Sequence, residues 1–193
     1  VAGRGHSDWL PNPMHYHAGV YAADMQQLIN EVQAALPQPL PLTWLGTSMG
    51  GLIALAALAG NAQICDKLIL NDVAPQLEWP ALARIGDYIG ANPHFATQRE
   101  GLDYSRQLSA SFGNLSDEQW LHLNTPQLRQ RCEGDDCDLQ RHWHLHYDPQ
   151  IAVLAKAVTP ELLAQQIPLA WALYDSLKQP TLLLRGAQSD LIT

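Results

Sequence analysis

Leu40-Pro41-Leu42-Thr43-Trp44-Leu45-Gly46-Thr47-Ser48-Met49-Gly50-Gly51-Leu52-Ile53-Ala54-Leu55-Ala56-Ala57-Leu58-Ala59 is the stretch whose reading decides the fold. Leu40 to Leu45 has the composition of a short strand. Leu52 to Ala59 is apolar all round, as a helix covered on every side would be. Gly60 follows it and is expected in the left-handed position just past the helix end. Between strand and helix lies Gly46-Thr47-Ser48-Met49-Gly50, a Gly-x-Ser-x-Gly pattern. That spacing has a mechanical meaning: the serine sits on a strained strand-to-helix turn, and glycines two positions to either side let strand and helix approach closely. Five letters alone are a weak signal, and the flanking strand and helix are the context that gives them weight.

Working outward, Met25, Leu28, Ile29, Val32 and Leu36 recur at helical spacing up to Pro37, which predicts a helix over about residues 18–36. Lys67 to Val73 reads as a second strand. Strand, helix and strand in this order form a βαβ unit, which implies a parallel sheet with a right-handed crossover. From about Gln76 to Pro160 the texture changes to amphipathic helical pieces joined by polar turns. Within it, Ser116-Asp117-Glu118-Gln119 fits a capping box. Thr159-Pro160 then signals a further helix, with threonine as N-cap and proline at the first helical position. Pro180 to Gly186 is a third buried strand, leading into the loop Ala187-Gln188-Ser189-Asp190.

Composition bounds the function classes. The chain of 193 residues is 47% hydrophobic and 16% charged, ordinary for a globular domain, and its formal charge of −8 offers nothing to a phosphate backbone or an anionic membrane. Nucleic acid and membrane are therefore not expected partners. No apolar stretch approaches the roughly 20 residues that span a bilayer. The three cysteines, Cys65, Cys132 and Cys137, are too few and too odd in number for a disulfide framework, which favours a reducing, cytoplasmic setting.

A serine hydroxyl is a poor nucleophile at neutral pH and needs a base to take its proton and donors to hold the oxyanion that forms on the acyl carbon. Ser48 is the expected nucleophile, and the backbone N–H of Met49, at the start of the following helix, is one expected oxyanion donor. The bland reading of the same residues is a glycine-rich turn that tightens a strand–helix junction.

At this point the chain resembles the α/β-hydrolase superfamily, in its cap-bearing branch of serine esterases and carbon–carbon bond hydrolases. Three stretches carry the resemblance, and together they span nearly the whole chain: Gly3-Arg4-Gly5-His6-Ser7-Asp8 as the turn after a strand, Leu45 to Gly51 as the nucleophile elbow, and Leu184-Arg185-Gly186-Ala187-Gln188-Ser189-Asp190 as the penultimate strand and acid loop. The resemblance implies a partial α/β-hydrolase fold, a parallel sheet flanked by helices with an inserted helical cap. Residues 1–75 would be the first part of the core, 76–160 the cap, and 161–193 the second part of the core. It also implies Asp190 as the triad acid, with Asp72, at the end of the second strand, as the alternative. Serine at the nucleophile position argues against dehalogenase chemistry. The expected activity is hydrolysis of a small apolar ester, or of a related acyl or carbon–carbon bond, without a cofactor.

In this family the triad order is Ser, acid, His, and no histidine follows Asp190. The eight histidines all precede it: His6 in the turn, His15 and His17 near the first helix, and His94, His122, His142, His144 and His146 in the insertion. His6 is read as bracing the turn beneath the elbow. The expectation is therefore a chain truncated at both ends, inactive as it stands, with the catalytic histidine and a second oxyanion donor outside it. An open sheet edge would invite pairing with a second copy. The alternative is a non-catalytic α/β-hydrolase-like protein that binds a ligand or partner.

Cys132 and Cys137 with His142, His144 and His146 form a second cluster of soft and imidazole groups. Zinc sites favour tighter Cys-x-x-Cys knuckles, so an ordinary insertion surface is preferred to a metal site or a redox pair. Trp79, Trp120, Trp143 and Trp171 fall in or beside the insertion, where core packing is the commoner fate of tryptophan and the wall of an acyl pocket the other. Cys65 reads as a small buried residue.

Overall fold

The computed structural model describes residues 1–132 and 141–192. In chain order the first elements are helix α1 (Ala18–Ala35), strand β1 (Thr43–Thr47), helix α2 (Met49–Gly60), strand β2 (Lys67–Asn71) and helix α3 (Trp79–Tyr88). Then come α4 (Gln98–Leu108), α5 (Asp117–Asn124), β3 (Leu128–Cys132), β4 (Arg141–Leu145), α6 (Ala152–Lys156), α7 (Pro160–Asp175) and β5 (Thr181–Leu184). The chain forms two compact units: the first is Val1 with Leu10–Ile89 and Ile151–Thr193, the second Ala2–Trp9 with Gly90–Gln150.

In the first unit β1, β2 and β5 make a parallel sheet in the order β1-β2-β5, with Gly46 opposite Leu70, Thr47 opposite Asn71, and Asn71 opposite Leu184. β2 is central and buries Leu68 and Leu70 almost completely, followed by Val73. α2 packs against β1 and β2 on one side and against α1 and α7 elsewhere, and buries Ile53, Ala54, Leu55, Ala57 and Leu58, which explains an apolar composition with little one-sidedness. Helices thus flank the sheet. Among the described residues β1 and β5 each pair on one side only. Leu45 on β1 and Leu182, Leu183 and Leu184 on β5 are correspondingly exposed.

Element limits shift for local reasons. β1 begins at Thr43 because Pro41 brings no N–H to a ladder and Leu42 is spent elsewhere: its N–H donates to Asp66 Oδ2 at 2.6 Å, and its carbonyl accepts from the Asp66 and Lys67 N–H groups. α2 starts at Met49, directly after Ser48, so both Gly50 and Gly51 are helical. Gly60 is the last residue of α2 rather than a left-handed residue beyond it; the C-cap is Asn61 in an extended conformation, its N–H donating to the Ala57 carbonyl. Thr159 caps α7, accepting from the Leu162 N–H at 3.2 Å with Pro160 inside the first turn. No described helix is long and apolar enough to cross a membrane.

The second unit combines α4 and α5 with an antiparallel strand pair, β3 against β4, in which Arg129 faces His144 and Arg131 faces His142. Residues 76–160 thus hold a strand pair as well as helical pieces. The Gly3–Asp8 turn is held against the end of this pair: Gly5 N–H donates to the His146 carbonyl at 2.9 Å, and Asp148 N–H to the Gly3 carbonyl at 2.8 Å. Gly3 and Gly5 adopt positive φ, 77° and 57°, which the tight path of the turn requires. Ser116 and Gln119 form the expected capping box, with Ser116 Oγ accepting from the Gln119 N–H and Gln119 Oε1 accepting from the Ser116 N–H. Ser116→Ala leaves both ends of that reciprocal arrangement weakened and should cost about 1 kcal/mol. Chemical denaturation checks this, and an unchanged midpoint would contradict it.

Candidate active site

Ser48 occupies the junction of β1 and α2 with φ 49° and ψ −118°, the conformation of the first central residue of a type II′ turn, which normally belongs to glycine. Holding a serine there costs on the order of 1–3 kcal/mol. Its backbone is fixed on both sides: Ser48 N–H donates to the Asn71 carbonyl at 2.9 Å, and its own carbonyl accepts from the Gly51 and Leu52 N–H groups. A serine at an N-cap ordinarily turns its hydroxyl back onto the helix. Here the twisted backbone prevents that, and Ser48 makes no side-chain capping bond. The residue is solvent-exposed, with Met49 as the first residue of α2, where the N–H has no intrahelical acceptor and the helix dipole favours negative charge.

The close approach of strand and helix falls on Gly46 and Gly51, not on Gly46 and Gly50. A Cβ on Gly46 would sit 2.5 Å from the Gly51 nitrogen and 2.6 Å from the Gly50 carbonyl carbon and oxygen. One on Gly51 would run into Val73 Cγ1, with Leu70 Cδ2 at 3.1 Å. One on Gly50 would meet nothing within 4 Å.

The two carboxylates lie at the ends of the neighbouring strands. Asp72 follows β2 with φ 52°, its N–H donating to the Leu184 carbonyl at 2.8 Å. Its carboxylate is turned toward the loop after β5, accepting from Ser189 Oγ at 2.9 Å and from the Gly186 N–H at 3.4 Å. Ser189 Oγ in turn accepts from the Leu191 N–H, and Arg185 donates to the Ile192 and Ser189 carbonyls, so the loop is cross-braced. Asp72 is therefore a brace for that loop, a contact within the first unit that no sequence pattern announces. Asp190, at the loop tip, takes both oxygens to Arg84 of α3, with Nη2 at 2.8 Å from each and Nε 3.3 Å from Oδ2. The pair is more than half exposed on both sides, so it is worth no more than about 1 kcal/mol. The histidines of this unit are His15 and His17; His17 is the extended residue that precedes α1.

The remaining histidines are in the second unit. His94 lies 4.4 Å from His144 and 6.2 Å from His142 between ring centroids, and His6 lies edge-on to His146 at 5.0 Å. Among the described residues no group of three His, Cys, Asp or Glu is placed to hold a metal ion. The side chain of Cys132 and all of Cys137 lie outside the described residues. Of the tryptophans, Trp120 is buried with Arg106 over its ring at 5.4 Å, while Trp171 is partly exposed and edge-on to Tyr174. Cys65 is buried, and burial pushes its thiol up from 9.0, as suits an unreactive packing residue.

Burial lowers the His146 imidazole below its ordinary 6.5, against a weaker upward pull from the Pro126 carbonyl, and its Nε2 is buried without a partner. The unfolded chain binds that proton more readily, so the stability His146 contributes is complete above pH 6.5 and is lost as the pH falls below it. An NMR titration should place the His146 midpoint under 6.5, and a midpoint at or above it would contradict this.

Residues 1–117 match the profile of the Hydrolase_4 family, described as serine aminopeptidase S33. Over 192 residues the chain is 41% identical to the 3-hydroxybutyrate-oligomer hydrolase of Cupriavidus necator, covering 100% of this chain and 62% of that protein. The crystal structure of an α/β hydrolase from Novosphingobium aromaticivorans superposes with a TM-score of 0.76 at 27% identity, covering 100% of this chain and 63% of that one. A crystal structure of a Rickettsia typhi protein matches at TM-score 0.79 and 23% identity, covering 100% and 60%, and at that identity the likeness speaks for the fold alone. The chain thus spans a little under two thirds of the length of each.

Proposed function

The chain belongs to the Hydrolase_4 family (serine aminopeptidase, S33) of α/β-hydrolases, and on that premise we propose that Ser48 is the nucleophile of an ester hydrolase. The observation that carries this reading is the Ser48 backbone: a serine held at φ 49°, exposed, not capping its helix, with Met49 N–H beside it. Ser48 Oγ attacks the ester carbonyl carbon as its proton passes to an imidazole. The oxyanion of the tetrahedral intermediate is held by Met49 N–H, and the alcohol leaves with the proton. Water then cleaves the acyl-serine by the same steps in reverse, releasing the acid and restoring Ser48.

Asp190 is the proposed acid that orients the imidazole. Two observations favour it over Asp72: the Asp72 carboxylate is committed to Ser189 and Gly186, whereas Asp190 is held only by an exposed, exchangeable arginine. The base is proposed to be a histidine beyond Asp190 in the whole protein, and the 193 residues alone are proposed to be inactive because none follows Asp190 in them. No cofactor enters these steps. The exposed leucines of β1 and β5 support association of the isolated chain through its sheet edges.

For substrate, 41% identity to a 3-hydroxybutyrate-oligomer hydrolase supports a short oligoester of a hydroxy acid. The test is to supply the whole encoded protein with the 3-hydroxybutyrate dimer and trimer, follow monomer release, and map a fluorophosphonate adduct by mass spectrometry. Monomer release with an adduct on Ser48 is expected. Cleavage of simple short-chain esters but not of the oligomers would overturn the substrate, and absence of both cleavage and adduct would overturn the hydrolase. The Arg84-bound state of Asp190 is the one observation that favours the second reading, a ligand-binding relative without catalysis, and that last outcome is the result it predicts.

A further inference from the structure

The second unit has a cleft of about 660 Å³ that none of the steps above uses. Four consecutive residues of β3, Leu128 to Arg131, line one side, so the cleft follows the outer edge of that strand. The Gly5–Trp9 segment and His146 line the other. Its volume is that of a small-molecule site.

The charges in it run against the rest of the molecule. In a chain of formal charge −8, this cleft presents two guanidinium groups, Arg129 and Arg131, against one carboxylate, Asp8. Neither arginine is ion-paired with a described residue, in contrast to Arg84, Arg99 and Arg106, each of which has a carboxylate partner. Arg131 is also pre-positioned, its guanidinium lying over the Trp9 ring at 4.1 Å from the centroid. A guanidinium held over a ring keeps N–H groups that can donate, and its fork suits bidentate recognition of a carboxylate. Arg129, two residues along the same strand, points to the same side.

We propose that this cleft is a binding site for the carboxylate of a small monoanionic organic acid, with Arg129 and Arg131 as its donors and Trp9 as the plate that orients Arg131. A monoanion fits better than a phosphate because Asp8 offsets one of the two positive charges, leaving a formal balance of one. Pro126 and Trp9 supply apolar surface for a short carbon chain. The site is independent of Ser48, and its test does not depend on hydrolysis.

Isothermal titration calorimetry of the whole encoded protein with sodium butyrate and sodium 3-hydroxybutyrate is the direct measurement. Neutral butyramide and inorganic phosphate serve as comparisons. Both carboxylates should bind, and butyramide should bind at least about tenfold more weakly, because it can form neither an ion pair nor a two-oxygen fork with a guanidinium. Arg131→Gln and Arg129→Gln should each weaken carboxylate binding by about tenfold or more, with Arg131→Lys intermediate because it keeps the charge and loses the fork. Arg106→Gln, in the same unit but away from the cleft, should leave binding unchanged. The Trp9 indole N–H should shift on titration in NMR. Equal binding of butyrate and butyramide, tighter binding of phosphate, or unchanged affinity in both folded glutamine variants would overturn the proposal. If one variant fails to fold in a thermal melt, the other decides.

Discussion

Ser48→Ala in the whole encoded protein should lower kcat/KM for the proposed oligoester substrates by roughly 10⁴–10⁶ while leaving the fold intact. The loss is so large because a nucleophile and its base act as one unit, and removing either leaves only binding and oxyanion stabilisation to act on the ester. The fold should survive because the hydroxyl supports nothing else: Ser48 is exposed, its side chain does not cap α2, and the bonds that fix its backbone, to Asn71, Gly51 and Leu52, are main-chain bonds that alanine keeps. Steady-state kinetics alongside a thermal melt separates the two effects. A variant that melts like the parent and retains more than about a hundredth of its activity would rule out Ser48 as nucleophile, since even a missing oxyanion donor costs that much.

Gly46→Ala carries the largest expected effect on stability. The added methyl would lie 2.5–2.6 Å from three main-chain atoms of Gly50 and Gly51. Flexible side chains can swing away from such a contact, but the first turn of a helix cannot without pulling α2 off β1 and β2. The cost should be about 3 kcal/mol or more, a large part of the stability of a domain this size. Gly50→Ala provides the contrast. It belongs to the same five-residue pattern, meets nothing within 4 Å in the 193-residue chain and lies in a helix, so it should be neutral or slightly stabilising. Denaturant midpoints of the two variants in that chain measure the difference. Equal midpoints would mean that strand and helix are not held as closely as described.

Features written in adjacent residues were legible from sequence: the strand, turn and helix around Ser48, the Thr159-Pro160 helix start, and the Ser116–Gln119 box. Each is a local competition that two or three side chains decide. Features that depend on a distant partner were not. Gly51 rather than Gly50 is the crowded position because Leu70 of the next strand and Val73 just after it fill the space beside it. Gly60 sits inside a helix because the chain leaves α2 through an extended Asn61, and nothing in the apolar run foretells that exit. The β3–β4 pair falls in a region whose texture reads as helical because Arg129-Gln130-Arg131 has no apolar alternation, and in His142-Trp143-His144 it is a histidine, His144, that is buried; the pairing becomes visible only once each strand lies beside the other. Arg84 meets Asp190 across 106 positions of sequence, and no local motif marks it.

Thr47 and Asn71 face one another in the sheet, so the residues that follow them, Ser48 and Asp72, are neighbours at the same strand ends, and both carry positive φ without being glycine. Two adjacent residues in conformations that L-side chains resist make this end of the sheet a place where stability is surrendered locally and recovered in the packed α2 interface below. Engineering for heat tolerance will therefore find its easier gain at Ser48, whose side chain caps nothing, by relaxing it to glycine, and that gain removes the side chain the proposed chemistry uses; at Asp72 the same change also gives up the bonds to Ser189 and Gly186. Selection for thermostability without a simultaneous screen for turnover would be drawn to Ser48, the position where the proposed chemistry has most to lose.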